Sequence, residues 1–209
     1  MVLKVCGMKY PDNVKAVAEL LPDYMGFIFY KPSKRYCGDT LSPEFVKSLP
    51  SSIIKTGVFV DEKEEEVLSI ARTYNLQAVQ LHGYESPEYC LSIKKEGFQV
   101  IKAFHIDEKF DWATLESYNG VADFFLFDTK TDLYGGSGQS FDWSLLKEYD
   151  AKVPLFLSGG IDERILEQLN TMPVFALDIN SKFEIEPGLK DVERIKEFKE
   201  LLSQISVKQ

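Results

Sequence analysis

Ser158-Gly159-Gly160 stands between an apolar run and a helix-like stretch starting at about Glu163, and Asn180-Ser181 follows the next apolar run. Bare glycine N–H groups beside a helix N-terminus can approach an anion closely, so these two loops read as a phosphate site. A glycine turn into the helix is the structural alternative. Cys6, followed at once by Gly7, offers a thiol that could act as base or nucleophile, or simply fill space as a small hydrophobe. Lys4 shares its strand face two residues below. Asp128 follows Phe124-Phe125-Leu126-Phe127, and a carboxyl group at the tip of so apolar a run is either structurally paired or kept as an acid. His82 and His105 end two other runs, as satisfied structural groups or as acid–base groups, and with Cys6 they would permit a Cys–His nucleophile. Arg35 ends a basic cluster with Lys31 and Lys34; it could grip a substrate carboxylate through paired hydrogen bonds, or belong to a solvated loop. Cys37, in a loop, and Cys90, in a helical stretch, are weaker candidates.

These residues need elements to hold them. Short apolar runs recur along the chain at Val2–Cys6, Tyr24–Phe29, Ile54–Val60, Ala78–Leu81, Gln99–Phe104, Phe124–Asp128, Leu155–Ser158 and Val174–Ile179. Most lack in/out alternation, as strands covered on both faces of a parallel sheet do. Between them, Pro11–Leu21 and Glu62–Tyr74 carry apolar residues at helical spacing, and about Val192–Ile205 closes the chain as a helix. Ser42-Pro43 and Ser86-Pro87 pair an N-cap with a first-turn proline, while the acidic run Asp61–Glu66 reads as a solvated helix start. This alternation, without linker or repeat, predicts an α/β fold: a single (β/α)8 TIM barrel over residues 1–209. An open doubly wound sheet is the alternative, disfavoured by the lack of a G-x-G-x-x-G after the first strand. In a barrel, chemistry collects where strands end, and the candidate residues fall there. Gly135-Gly136-Ser137-Gly138 then reads as a loop able to close over ligand, leading into Phe141-Asp142-Trp143.

The composition is that of a folded globular protein of 209 residues, 44% of them apolar. With 33 acidic against 24 basic side chains the net charge is −9, which argues against nonspecific attraction to nucleic acid or an anionic membrane. An anionic ligand therefore requires a local site. The odd number of cysteines and the lack of metal-type spacing argue against a disulfide framework or structural zinc. Neither a signal-peptide core nor a spanning run is present, so a cytoplasmic protein is expected.

The chain also resembles the phosphoribosylanthranilate isomerase family over essentially its whole length. The likeness is carried in order by Lys4-Val5-Cys6-Gly7-Met8, Gly26-Phe27-Ile28-Phe29 with Ser33-Lys34-Arg35, Gly57–Val60, Val79-Gln80-Leu81-His82-Gly83, Asp128, Gly135–Gly138 with Phe141-Asp142-Trp143, Leu157–Ile161, and Pro187–Asp191. The resemblance implies an Amadori rearrangement of a phosphoribosylated anthranilate in tryptophan biosynthesis, without cofactor or metal, by a monomer or homodimer. It implies Asp128 as general acid and the Cys6 thiolate as general base, Arg35 on the anthranilate carboxylate, His82 in the pocket, and Gly159, Gly160, Asn180 and Ser181 around the phosphate. A thiol base must be helped toward thiolate by its setting. Lys182 stands where the family usually has glycine, and its ammonium could reach the same phosphate. The alternatives are another phosphosugar isomerase or lyase, a non-catalytic barrel that binds a phosphorylated ligand, and a hydrolase using Cys6 with His82 or His105.

Overall fold

The computed structural model describes residues 1–129 and 143–205; Gly135–Gly138 and Phe141-Asp142 lie outside them. The parallel strands are β1 (Val2–Cys6), β2 (Tyr24–Ile28), β3 (Ile54–Phe59), β4 (Ala78–Leu81), β5 (Gln99–Ile106), β6 (Phe124–Thr129), β7 (Leu155–Leu157) and β8 (Ala176–Ile179). They form a closed barrel in chain order, and the ring is shut by pairing of β1 with β8 from Val2↔Ala176 to Val5↔Ile179. That pairing removes the open-sheet alternative. Within the ring, β5 runs two residues past its expected end, because His105 and Ile106 pair with Asp128 and Thr129.

The helices are α1 (Pro11–Glu19), α2 (Pro43–Lys47), α3 (Glu64–Thr73), α4 (Pro87–Lys95) and α5 (Val192–Gln204). Ser42 and Ser86 cap α2 and α4 by accepting from Phe45 N and Tyr89 N, each with proline in the first turn. The acidic run supplies Glu64, Glu65 and Glu66 to the first turn of α3, where they complement the helix dipole. On its inner face α1 buries Val14, Val17 and Ala18, and α3 buries Val67 and Ala71.

The second half of the barrel departs from this pattern. After β5, β6 and β7 the connections carry 3-10 turns, at Trp112–Tyr118, Trp143–Glu148 and Glu163–Glu167. The helix expected near Glu163 is instead two short 3-10 turns, Glu163–Glu167 and Leu169–Thr171. The stretch Leu169–Pro173 contains Asn170, Thr171 and Pro173, which do not favour a long helix. Among the described residues no helix is long and apolar enough to cross a membrane.

Two hydrophobic layers result. The larger lies between strands and helices; the smaller fills the barrel, with Val2, Tyr24, Ile54, Ala78, Ile101, Ala103, Phe124, Leu126, Phe156 and Ala176. Tyr24 and Phe156 meet edge to face at 5.2 Å inside it. This plug makes a floor, so only the C-terminal ends of the strands are left to form a site.

Candidate active site

Side chains alternate along a strand, so the residues that fill the floor fix what lies above it. Two positions on, the inward residues are Lys4, Gly26, Thr56, Gln80, His105, Asp128, Ser158 and Asp178; two further on β1, β4 and β8 they are Cys6, His82 and Asn180. A polar ring thus sits on an apolar floor, and Cys6 and Asp128 face one lumen. Their common neighbour is Asp178, whose carboxyl interacts electrostatically with Asp128 and His82 on one side and with Cys6 on the other.

Cys6 is buried, and its room comes from a glycine: a Cβ on Gly26 would lie 2.6 Å from Cys6 Sγ. Burial pushes the thiol up from its ordinary value, while the Lys4 and Lys190 ammoniums pull it down and Asp178 pushes it up again. The net direction is upward, opposite to the help toward thiolate expected from the sequence. Lys4 Nζ donates to Asp178 Oδ1 at 2.8 Å, with both side chains sealed from solvent. Burial alone would lower Lys4, but the charges of Asp178 and Cys6 raise it, so the ammonium persists beside the sulfur. Lys4 therefore matters more than its place below Cys6 suggested.

Around Asp128 stand both histidines. His82 Nε2 lies 3.4 Å from Asp128 Oδ2, and His82 Nδ1 is 2.7 Å from Gln80 Nε2. The rings of His82 and His105 sit 5.3 Å apart. Burial, helped by the His82 charge, lowers His105, so its imidazole is neutral near pH 7. The charged neighbours of the thiol are Lys4, Lys190 and Asp178, and the histidines belong to the Asp128 side. A Cys–His nucleophile is thus not what this geometry assembles.

The rim is built from chain reversals. Gly7 adopts φ 78°, and a Cβ there would lie 2.7 Å from both Arg35 Cδ and Asn180 Oδ1, which brings those two residues next to Cys6. Asn180 Oδ1 accepts from Lys190 Nζ at 2.7 Å, and Lys190 Nζ also donates to Glu184 Oε1 at 2.6 Å. Glu184 accepts from Arg35 Nε and Nη2, the shortest contact being 2.6 Å. Burial works to raise Glu184, but Arg35 and Lys190 outweigh it and hold the carboxyl below its usual range; burial draws Lys190 down to about 8. Arg35 spends its Nε–Nη2 edge on Glu184, and among the described residues no hydrogen bond uses its Nη1.

Gly159 and Gly160 have φ of 81° and 70°, a conformation open to glycine and strained for other residues. Among the described residues neither of their amides donates to a backbone carbonyl. The helix dipole contributes less than expected, because the following 3-10 turn is capped by the Asp162 carboxylate, itself chelated by Arg164. Ser181 opens a second 3-10 turn, Ser181–Phe183, beside this loop's neighbour strand. Lys182 acts on Asp162, lowering its carboxyl together with the stronger Arg164 hydrogen bond.

Asp178, Glu184, Lys190, Gln80 and Gly26 were missed as site residues. Asp178 did carry a signal, as a lone charge inside Phe175-Ala176-Leu177-Asp178-Ile179. Lys190 lies in the Pro187–Asp191 stretch that carries the resemblance, but no local pattern placed it or Glu184 at the site, since they come from the hairpin of β9 (Glu184–Glu186) and β10 (Leu189–Lys190) that follows β8.

Comparison with known proteins identifies the family of the chain. The family model described as N-(5'phosphoribosyl)anthranilate (PRA) isomerase matches residues 3–200. The N-(5'-phosphoribosyl)anthranilate isomerase of Parabacteroides distasonis is 46% identical over 202 residues, covering 95% of this chain and 91% of its own. A crystal structure of phosphoribosyl anthranilate isomerase from Thermotoga maritima superposes with TM-score 0.83 at 38% identity, covering 98% of this chain and 100% of the other. Another, in complex with reduced 1-(o-carboxyphenylamino)-1-deoxyribulose 5-phosphate, gives TM-score 0.80 at 33% identity over 98% and 100% of the two chains. A family-model match over residues 3–200, with relatives of this identity and coverage, places the chain in the N-(5'-phosphoribosyl)anthranilate isomerase family.

Proposed function

We propose that this chain converts N-(5'-phosphoribosyl)anthranilate to 1-(2-carboxyphenylamino)-1-deoxyribulose 5-phosphate, an aldose–ketose isomerisation in tryptophan biosynthesis, with Asp128 as acid and Cys6 as base. Asp128 gives its proton to the furanose ring oxygen as the bond from that oxygen to C1 breaks. The anilinic nitrogen lone pair forms the C=N bond of a protonated Schiff base. The Cys6 thiolate then removes the C2 proton, and the electron pair flows through C1 to nitrogen, giving an enolamine. Loss of the enol O–H proton with protonation at C1 yields the ketone. Atoms and electrons balance with no outside oxidant.

The observation that carries this reading is that Cys6 and Asp128 face one lumen above the apolar floor, with a cationic wall beside the sulfur. Because burial raises the thiol, deprotonation leans on Lys4 and Lys190. Gly159, Gly160, Asn180 and Ser181 are assigned to the phosphate, and the open edge of Arg35 to the anthranilate carboxylate, with Glu184 fixing the guanidinium plane. His82, held by Gln80, orients toward Asp128. All these residues come from one chain, so a monomer or a homodimer would serve equally. The test is the decay of substrate fluorescence after fresh synthesis of phosphoribosylanthranilate: the rate should scale with protein concentration above the spontaneous rate, and a rate independent of protein would reject the proposal.

A further inference from the structure

One nitrogen each of His82 and His105 and a carboxylate oxygen of Asp128 all lie within 4.8 Å of one another, beside the apolar floor. Two imidazoles and a carboxylate form a donor set suited to Zn2+, Co2+ or Ni2+, and poorly suited to Ca2+ or Mg2+. A tetrahedral Zn2+ with bonds of about 2.0–2.1 Å needs donor atoms about 3.4 Å apart. His82 Nε2 and Asp128 Oδ2 already stand at 3.4 Å. His82 is nine-tenths buried, and its Nε2, aimed at the carboxylate, makes no hydrogen bond.

The surroundings hold the ligands in place. A hydrogen bond between the His105 ring and the His82 backbone fixes that ring 5.3 Å from the His82 ring, beside Asp128. Gln80 Oε1 is buried without a hydrogen-bond partner while its amide nitrogen faces His82 Nδ1. Turning that amide over would let Oε1 accept from a protonated Nδ1, which leaves Nε2 as the coordinating atom. Lys102, whose charge acts on His105, is paired with Glu85 at 2.9 Å.

We propose that His82, His105 and Asp128 form a binding site for a borderline transition-metal cation, Zn2+ foremost, and that occupation of this site inhibits the enzyme. Inhibition, though not binding, rests on the reading of Asp128 as the acid: a carboxylate bound to the cation has exchanged its transferable proton for the metal. No electron transfer is involved, and the displaced proton leaves to solvent.

Zinc chloride is titrated into the metal-free chain against a chromophoric chelator, Co2+ is added separately as a d–d absorbance probe, and substrate turnover is followed in parallel. The expected result is one tight site per chain with four-coordinate Co2+ absorbance, weakened at least ~10-fold in His105→Gln and in Asp128→Asn and unchanged in Cys6→Ser. The turnover that His105→Gln shows in EDTA should have lost most of its sensitivity to Zn2+. Because Asp128→Asn is isosteric, it tests the site even if His105→Gln fails to fold. Zinc binding that survives both substitutions, or that disappears in Cys6→Ser, would overturn the proposal. If the wild type shows no isomerase turnover but the binding pattern holds, the site stands and the functional reading fails.

Discussion

Replacing Lys4 by methionine separates the two things Lys4 does. Its ammonium meets Asp178 at 2.8 Å, with side chains 0% and 4% exposed, and it also pulls the Cys6 thiol down against burial. Removing one partner of such a buried pair strands the other charge and costs about 3–5 kcal/mol. For a domain of this size each kcal/mol moves Tm by about 2–4 °C, so Lys4→Met should melt roughly 6–20 °C lower near neutral pH. The loss should shrink in acid. Burial raises the Asp178 carboxyl, and a folded-state carboxyl that holds its proton more tightly than the unfolded chain adds stability below its unfolded value of about 3.9 and loses it as pH climbs through the folded value. Combining Lys4→Met with Asp178→Leu removes both charges and should recover most of the lost stability, to within about 1–2 kcal/mol of wild type. Activity should not follow. Lys4 lowers the thiol more than Asp178 raises it, so the double variant should stay slower, with the rise of kcat/KM displaced to higher pH. Calorimetry and a pH–rate profile decide the matter. A melting point for Lys4→Met within about 3 °C of wild type would refute the energetics, and a double variant with wild-type rate and profile would detach Lys4 from Cys6.

Gly160→Ala forces alanine to φ 70°, which costs about 1–2 kcal/mol and should lower Tm by roughly 2–8 °C. If that loop holds the phosphate, KM should also rise about tenfold while kcat changes less, the scale of one charge-assisted hydrogen bond, and an unchanged KM in steady-state assays would free Gly160 from the phosphate. In Arg35→Lys the charge remains but one ammonium cannot chelate Glu184 and a substrate carboxylate together, so KM should rise about tenfold. A KM within twofold of wild type would remove Arg35 from substrate binding.

Every barrel strand could be read from the chain because each is buried on both faces and so appears as a short apolar run; β1 and β4 have the expected limits, and β5 is extended only by pairing with β6. The 3-10 turns after β5, β6 and β7 could not be read, since helix propensity alone does not tell a full helix from a single turn when the segment is short. Within the site, Cys6 and Asp128 announced themselves by ending apolar runs. Their partners did not: Lys4 and Asp178 meet only because β8 closes onto β1, a contact between residues 174 positions apart. The direction in which the thiol shifts depends on burial competing with ammoniums from β1 and β10, and no local pattern encodes that balance. Gly26 is the reverse case, a small residue inside a strand whose purpose becomes visible only with Cys6 Sγ packed against it.

Most directly at stake is whether the sulfur of Cys6 and the carboxyl of Asp128 act on one substrate. Steady-state turnover of freshly generated phosphoribosylanthranilate by Cys6→Ser and Asp128→Asn should show kcat reduced at least ~10²-fold in each, with the fold intact by circular dichroism. Turnover near the wild-type rate in either folded variant would contradict the assignment of base and acid.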